Sequence, residues 1–502
     1  MTAIGDSLNA TRPAARTPWR RIEADEAAWD RAGLALVEGR ATLLGLWGER
    51  DAVHLALIEP ETDAITLLRF NAAAGGFPSL GRRHPPAIRL ERVIKDLFGL
   101  EPQGAPDARP WLDHGRWGVT APLGAAAPAG APAAYPFLPA EGESLHQIPV
   151  GPIHAGVIEP GHFRFTANGE AVVRLEERLG YVHKGIEGLM QGEDLERGAK
   201  LAGRVSGDSA VAYAIAFARA AEDALGVAVP PRSQWLRALM AELERLGNHL
   251  GDIGAICNDA AFPLMHAHCG ALRERVLRAA DAAFGHRLMR DCVVPGGVAV
   301  DLAAEGRAAI HAMMGIVRRE FPGLVRLYDE TASLQDRTVG AGIVDPALAA
   351  QFGAGGYIGR ASGRGFDARR RPGYPPYDGL TFAVPSRSEG DVNARVWIRI
   401  GEVEQSLGLI AQLTDRLPAG AIAIELPRAR GATEGLALVE GFRGDILVWL
   451  RLDAAGRIAR CHLRDPSWFQ WPLLEAAIEG NIVADFPLCN KSFNCSYSGH
   501  DL

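Results

Sequence analysis

An Ala/Pro/Gly-rich segment at residues 121–140 divides this chain of 502 residues into two unequal parts. The segment, APLGAAAPAGAPAAYPFLPA, carries no charged side chain and little apolar surface to bury, and its prolines favour an extended backbone. A chain of this length exceeds one ordinary domain. We therefore predict an N-terminal extension at 1–27, a small domain at 28–120, a linker at 121–140 and a larger domain at 141–502.

The two parts differ in hydrophobic periodicity. In the first part, alternating patterns predict strands at 35–37, 41–47, 51–59 and 64–70, followed by a helix at 86–100. In the second part, short strand-like stretches at 146–175 precede long helical patterns at 231–258, 271–289, 302–328 and 394–417. The predicted fold class is an α/β N-terminal domain joined to a mainly α-helical domain with small peripheral sheets.

Charge and cysteine content exclude several functional classes. A net charge of −7 argues against a nucleic-acid partner, because phosphate binding requires a basic excess. The longest apolar stretch, 209–229, is interrupted by charged residues, so no membrane-spanning helix is expected. The six cysteines form no Cys-x-x-Cys pair, and no apolar leader is visible at residues 1–19. These features predict reduced thiols in a cytoplasmic setting, and they are compatible with a peripheral position on a membrane complex.

A series of short motifs runs along the second part in a fixed order. The motifs are GPIHAG (151–156), GYVHKGIE (180–187), Arg204, MAELERLGNHL (240–250), PGGV (295–298), GAG (340–342), RASG (360–363), VEGFRG (439–444) and RDPS (464–467). In this order they resemble the 49-kDa (D) subunit of respiratory complex I and the large subunits of energy-converting (group 4) nickel–iron hydrogenases. Residues 88–100, IRLERVIKDLFGL, are similar to the 30-kDa (C) subunit. The fused arrangement resembles the type found in hydrogenase-4 component G and the formate hydrogenlyase large subunit, and it implies a hydrogenase large-subunit-like second domain.

Two stretches match the positions at which such hydrogenases hold nickel, but they lack the required thiols. The four matched positions carry Ser206, Ser209, Ser496 and Gly499. A one-residue shift of the C-terminal match would instead select Cys495 and Ser498. Soft thiolates hold nickel and iron, whereas serine hydroxyls stay protonated at neutral pH. The resemblance therefore implies a degenerate nickel site and no cofactor bound by this chain itself.

The resemblance assigns roles to several other side chains. His154 and His183 fall where complex I holds its quinone headgroup, and a neutral His can donate a hydrogen bond there and pass a proton. Arg204 is expected in the same cavity, and Glu159 resembles the glutamate that relays protons in hydrogenases. Arg443 matches a guanidinium above the metal pocket, and without a metal a buried Arg there would need an anion or a carboxylate.

Arg245 and His249 lie four residues apart and therefore on one face of a predicted helix. The resemblance places them beside the terminal iron–sulfur cluster of a neighbouring small subunit, where a hydrogen bond or a cation raises the cluster potential. The alternative for Arg245 is an ion pair with Glu242 on the helix surface, and the alternative for His154 and His183 is a hydrogen-bonded core position.

The functional expectation is an electron-transfer (redox-module) subunit of a membrane-bound complex related to NADH:quinone oxidoreductase, without hydrogenase activity. Expected partners are a cluster-bearing small subunit, a ferredoxin-like subunit and antiporter-like membrane subunits, at the cytoplasmic face of the cell membrane. Two alternatives remain open: a quinone-reducing subunit with a non-standard pocket, and a non-redox linker between a small subunit and a transporter-like membrane arm. Complex I has a quinone-binding Tyr at the position of Leu195 and an Arg at that of Glu193, so its familiar quinone geometry is not expected here.

Overall fold

The N-terminal part of the chain forms a four-stranded sheet with two helices. The structure, a computed structural model, describes residues 19–429 and 431–502. The first elements are β1 (Trp19–Ala24), α1 (Glu26–Val37), β2 (Thr42–Gly48), β3 (Ala52–Ile58), β4 (Ile65–Asn71), β5 (Gly76–Pro78), α2 (Ile88–Phe98) and β6 (Glu101–Gln103). The sheet order is β1–β4–β3–β2, with β1 parallel to β4 and the other pairs antiparallel. The strands expected at 41–47, 51–59 and 64–70 and the helix expected at 86–100 are confirmed.

Two features of this part differ from the sequence expectation. Residues 35–37 are the last turn of α1 and not a strand; Ala35 and Leu36 lie on the same buried face as Ala28 and Trp29. Three apolar residues in a row do not distinguish a period of 2 from a period of 3.6, which explains this error. Strand β1 falls within the range 1–27 that was predicted as an extension, so the sheet takes in residues 19–24, while residues 1–18 lie outside the described residues.

The Ala/Pro-rich segment 121–140 is extended and mostly exposed, and it is fastened to both parts of the chain. It contains β8 (Ala127–Pro128), which pairs with β7 (Val119–Thr120). Arg92 of α2 donates a hydrogen bond to the Tyr135 hydroxyl at 2.6 Å. The ring of Phe137 lies 4.1 Å below the guanidinium of Arg164, which belongs to the C-terminal part. The segment therefore follows the boundary between the two parts.

The C-terminal part begins with a three-stranded sheet and continues into long helices. Its elements up to the last long helix are β9 (Leu145–Val150), β10 (His162–Asn168), β11 (Ala171–Arg178), α3 (Ile186–Met190), α4 (Leu195–Ala202), α5 (Ala210–Leu225), α6 (Pro231–Asp259), α7 (Pro263–Phe284), β12 (Val293–Val294), β13 (Gly297–Val298), α8 (Ala304–Glu330), α9 (Ala332–Thr338), α10 (Pro346–Gln351), α11 (Gly356–Ala361) and α12 (Val392–Asp415). The four long helical patterns predicted from the sequence correspond to α6, α7, α8 and α12. Within the described residues, no helix combines the length and the apolar character needed to cross a membrane.

A second three-stranded sheet and three short helices complete the chain. They are β14 (Thr433–Glu440), β15 (Asp445–Leu452), β16 (Ile458–Arg464), α13 (Ser467–Ile478), α14 (Phe486–Phe493) and α15 (Tyr497–Asp501). Helix α5 is rich in alanine and lies so close to β14 that a Cβ on Gly435 would overlap the carbonyl of Ala220. This close approach explains the glycine in the strand.

One face of the N-terminal sheet packs on the sheet β14–β16, so the two parts share a hydrophobic core. The Trp47 and Trp449 rings lie 5.6 Å apart across this contact. Arg464 donates from its Nε to the backbone oxygen of Leu44 at 2.6 Å. After β16 the chain continues through α13, α14 and α15. These helices return to the loop between α4 and α5, where the candidate site lies.

Candidate functional site

The C-terminal residues meet the loop before α5 at a chain of hydroxyl groups. Ser206 Oγ lies 3.0 Å from Ser496 Oγ, and the two side chains are about 95% buried. Ser206 also donates to Asp208 Oδ1 at 2.8 Å, and Ser496 accepts from the backbone nitrogen of Gly499 at 2.9 Å. An ionised carboxylate only accepts hydrogen bonds, so the Ser206 hydroxyl donates to Asp208 and the Ser496 hydroxyl donates to Ser206. The hydrogen bonds therefore run in one direction, from α15 to Asp208.

An ion pair between Asp208 and Arg443 closes this chain. Arg443 is 4% exposed; one of its terminal nitrogens donates to Asp208 Oδ1 at 2.7 Å, and the other donates to Oδ2. Burial acts to raise the pKa of Asp208, but the Arg443 guanidinium and the Ser206 hydroxyl outweigh it and hold that pKa below its ordinary value. Asp208 is thus the carboxylate that a buried Arg443 without a metal requires. The sequence did not single it out, although it lies between the two serines.

The position of Gly499 is blocked by a second carboxylate. A Cβ at this residue would meet Oδ2 of Asp465 and would lie 2.7 Å from its Cγ and 2.9 Å from Ser496 Oγ. Asp465 is held in place, since it accepts from the Tyr213 hydroxyl at 2.6 Å and from the Ser467 backbone nitrogen at 2.8 Å. No side chain fits at this position unless Asp465 moves.

The donor set at this site does not fit a nickel–iron centre. Ser206 and Ser496 are engaged with each other and with Asp208, and Ser209 Oγ lies 3.5 Å from the Asp208 carboxylate. Burial raises the pKa of the Cys495 thiol well above its ordinary value, so this sulfur stays protonated. Across residues 19–429 and 431–502, no three His, Cys, Asp or Glu side chains form a group suited to a metal ion. The site offers hydrogen-bonding hydroxyls and an ion pair in place of soft anionic ligands.

His154 and Glu159 belong to a loop, residues 151–161, that contacts α15. His154 Nε2 lies 3.4 Å from the Tyr497 hydroxyl, and Glu159 accepts from the Ser498 backbone nitrogen at 3.0 Å. Burial and then Lys491 lower the pKa of His154, and burial raises the pKa of Tyr497. Both groups are therefore neutral near pH 7, and either the phenol or the imidazole can donate in this contact. The sequence did not indicate Tyr497 as a partner of His154.

His183 contacts the end of the C-terminal helix. Its Nδ1 is 2.7 Å from the backbone oxygen of Asp501, which can only accept, so Nδ1 carries a proton and donates it in this hydrogen bond. The backbone nitrogens of Lys184 and Gly185 donate to the Leu502 oxygen at 2.6 and 3.2 Å. This loop therefore holds the last residues of the chain against the site.

Arg204 does not join these residues. Its side chain is 43% exposed and forms a bidentate ion pair with Asp291 at 2.7 and 2.8 Å. The structure therefore separates Arg204 from the cavity in which the sequence placed it. Leu195 begins α4 and is half-buried against the hydrophobic core.

Arg245 and His249 are both buried inside the chain. Arg245 is 1% exposed and donates to the backbone oxygens of Gly441 and Glu440. Its side chain also lies 3.4 Å from Glu242. The Arg245–Glu242 ion pair is therefore buried and is not the helix-surface pair considered in the sequence analysis. His249 is fully buried, and neither ring nitrogen has a hydrogen-bond partner among the described residues. Burial and then the charge of Arg245 hold the pKa of His249 far below its ordinary value. His249 is thus neutral, and it cannot act as a cation towards a cluster.

Comparisons with known proteins identify the family. Residues 261–435 match the model of the respiratory-chain NADH dehydrogenase 49-kDa subunit. The chain is 31% identical to formate hydrogenlyase subunit 5 of Escherichia coli over 85% of this chain and 77% of that protein. It is 30% identical to the carbon monoxide-induced hydrogenase of Rhodospirillum rubrum, over 70% of this chain and 98% of that protein. The chain belongs to the family of complex I 49-kDa subunits and group 4 hydrogenase large subunits. The family predicted from the ordered motifs is thereby confirmed.

A solved structure supports the same relationship. A chain in the structure of the membrane-bound sulfane sulfur reductase, described as an archaeal respiratory membrane complex, superposes with a TM-score of 0.68 at 26% identity. The match covers 72% of this chain and 99% of that one. These relatives are subunits of membrane-bound respiratory and hydrogenase complexes. This agrees with the expectation that the chain is a subunit of such a complex.

Proposed function

We propose that this chain is a nickel-free subunit of the electron-transfer module in a membrane-bound, complex I-like respiratory complex. The observation that carries the proposal is the 3.0 Å contact between Ser206 and Ser496 at positions where the resemblance expects nickel ligands. The obstruction of Gly499 by Asp465 supports the same conclusion. In this role the chain binds no metal, and electrons pass through an iron–sulfur cluster of a small subunit.

The loop that carries His154 is the proposed contact surface for that small subunit. Ile153 and Val157 in this loop are 87% and 100% exposed, although both are large apolar residues. Exposed apolar residues grouped on one loop are typical of a surface that a partner covers. The remaining proposed partners are a ferredoxin-like subunit and antiporter-like membrane subunits, with the assembly on the cytoplasmic face of the membrane.

Metal analysis of the intact complex tests the proposal. We expect iron and acid-labile sulfide from the partner subunits, nickel far below one atom per complex, and no hydrogen uptake or evolution. Stoichiometric nickel that disappears in a Ser206→Ala variant would contradict the proposal.

The contact surface is tested separately by co-purification of the small subunit. Val157→Asp is expected to reduce the recovered small subunit, because a charge would be buried in the interface. Val173→Asp is the matched control, since Val173 is 47% exposed on strand β11, outside the loop. Equal recovery with both variants would exclude the loop as the contact surface.

The Tyr497–His154 pair favours quinone reduction as a second candidate function. A neutral phenol 3.4 Å from a neutral imidazole provides the hydrogen-bonding pair that Leu195 cannot provide. If a quinone binds there, Tyr497→Phe is expected to lower quinone reduction by the complex 10²–10⁴-fold, as for loss of a general acid. If the Tyr497→Phe variant reduces quinone at the full rate, this chain provides no quinone site at the Tyr497–His154 pair, and the electron-transfer role alone would stand.

The third possibility, a linker without redox function, is tested by the partner cluster. A cluster that is reduced and reoxidised during turnover, followed by electron paramagnetic resonance, supports the redox module. A complex that contains no such cluster would support the linker.

A further inference from the structure

A groove of about 1110 Å³ lies between the N-terminal and C-terminal parts of the chain, where helix α1 ends. Residues from the end of α1, the start of β2 and the turn after β3 form one wall. Helix α10 and residues 364–371 contribute to the other wall. Sites for small molecules usually measure about 300–1,000 Å³, so the groove has room for a small organic molecule.

Most charged side chains in this groove already have a partner. The ion pairs are Arg83–Asp30 at 3.0 Å, Arg371–Asp63 at 2.9 Å and Arg40–Glu38. The carboxylate of Asp345 accepts from the backbone nitrogens of Ala347 and Leu348 at 2.8 and 3.1 Å. These groups are thus satisfied within the chain and do not require a ligand.

Arg364 also lines the groove, and its charge has no direct partner. Its Nη1 donates to the backbone oxygen of Ala354 at 2.9 Å, and its guanidinium lies 4.5 Å from the centroid of the Phe366 ring. Among the described residues, no Asp or Glu oxygen forms an ion pair with it. Arg364 is therefore a partly buried cation that is held by one backbone oxygen and one aromatic ring.

The carboxylates nearest in charge to Arg364 are bound to other arginines. Asp445 and Glu440 act most strongly to raise the pKa of Arg364, but burial outweighs them and lowers it. Asp445 pairs with Arg464, and Glu440 pairs with Arg360 at 2.9 Å. Neither carboxylate is free to turn towards Arg364 without leaving another buried guanidinium unpaired.

The free nitrogens of Arg364 form the edge of the guanidinium that recognises oxyanions. Nε and Nη2 make no hydrogen bond with the described residues, and neither atom is enclosed away from solvent. The N–H bond of Nε and one N–H bond of Nη2 lie parallel on the same edge of the planar group, so they can bind two oxygens of one carboxylate or phosphate. Because Arg364 lines the groove, a ligand that lies there can reach this edge.

We propose that this groove binds a small-molecule oxyanion, a carboxylate or a phosphate, through the Nε–Nη2 edge of Arg364. Two charge-assisted hydrogen bonds supply the direct counter-charge that Arg364 lacks. The body of the ligand lies along the apolar side chains of Val37 and Leu348. The groove is separate from the Ser206–Ser496 chain, and the proposal does not depend on the proposed function.

Calorimetric titration of the full chain with benzoate and with inorganic phosphate tests the site, with sodium chloride at the same ionic strength as the blank. We expect at least one of the two probes to bind at one site per chain and to raise the midpoint of thermal unfolding. Tighter binding of benzoate would identify the ligand class as an organic carboxylate, and tighter binding of phosphate would identify it as a phosphate. If neither probe binds above the chloride blank, the proposal is wrong.

Variants of two arginines in the groove locate the binding. Arg364→Ala removes the free edge and is expected to weaken binding by at least about tenfold, as for the loss of charge-assisted hydrogen bonds. Arg364→Lys keeps the charge but not the parallel donors, so it is also expected to weaken binding, and it provides the readout if the Ala variant does not fold. Arg83→Ala is the matched control, because it removes a cation of the same groove that is 45% exposed and already paired with Asp30. Unchanged binding in both Arg364 variants, or an equal loss in Arg83→Ala, would refute the site.

Discussion

Replacement of Gly499 by Ala tests whether the site is closed against a side chain. The new Cβ would meet Asp465 Oδ2 and would lie 2.7 Å from its Cγ and 2.9 Å from Ser496 Oγ. Asp465 is 1% exposed and has hydrogen bonds with Tyr213 and Ser467, so it cannot turn away without losing them. Overpacking of this kind costs about 1–3 kcal/mol, and a lost buried hydrogen bond adds about 1 kcal/mol. We therefore expect a loss of about 2–4 kcal/mol.

Denaturant and thermal unfolding of purified wild-type and variant chains measure this loss. One kcal/mol corresponds to about 1–2 °C in the unfolding midpoint of a domain as long as residues 141–502, so a decrease of a few degrees is expected. Gly207→Ala is the control, because an added Cβ at Gly207 has no atom within 4 Å and the residue is exposed. If both variants unfold at the wild-type midpoint, Asp465 does not fill the space at residue 499 and the reasoning about the closed site is refuted.

Two further changes test the charges inside the chain. Asp208→Asn leaves the guanidinium of the buried Arg443 without its carboxylate and is expected to cost about 2–3 kcal/mol in denaturant unfolding, below the usual 3–5 because Asp208 is 33% exposed. Asp291→Asn, which breaks only the exposed pair with Arg204, is expected to cost at most about 1 kcal/mol, and equal losses would refute the distinction. Burial lowers the pKa of His84 from 6.5 to about 4. As the pH falls, the unfolded chain therefore takes up a proton at this residue before the folded chain does. The free energy of unfolding is expected to fall by about 3 kcal/mol between pH 7 and pH 4 for this reason. His84→Leu is expected to remove this part of the pH dependence, and parallel pH curves for the two proteins would contradict it.

The sequence predicts the long helices and the family, because both depend on patterns that extend over many residues. The apolar positions of α6 recur along 29 residues, so the helix is clear from periodicity alone. The end of α1 could not be predicted in this way, since the three apolar residues 35–37 are too few to define a period. Strand β1 lies parallel to β4, more than forty positions further along the chain, and its pattern carries no sign of that distant partner.

The site residues that the sequence misses are those defined by contacts between distant segments. Asp465 lies 34 positions before Gly499, and its position there follows from the path of β16 and α13. Tyr497 meets His154 across 343 positions. The sequence places Arg204 in the cavity because of its neighbouring motif, but the structure pairs it with Asp291, 87 positions away. A family motif predicts which loop a residue belongs to. The direction of its side chain depends instead on the charged groups that the fold brings near it.

The contact between the two serines also bears on whether a single replacement by cysteine would create a metal site. Two sulfurs on one tetrahedral metal, each about 2.3 Å from it, lie about 3.8 Å apart. The two hydroxyl oxygens are 3.0 Å apart and joined by a hydrogen bond, so the loop and the C-terminal helix are linked directly through these side chains. Arg443 strengthens this closed arrangement by binding both Asp208 and the backbone oxygen of Asn494, next to the helix. To open the site, the chain would have to exchange the serines, displace Asp465 from the position of residue 499 and break the Asp208–Arg443 pair, and none of these changes alone creates a ligand set.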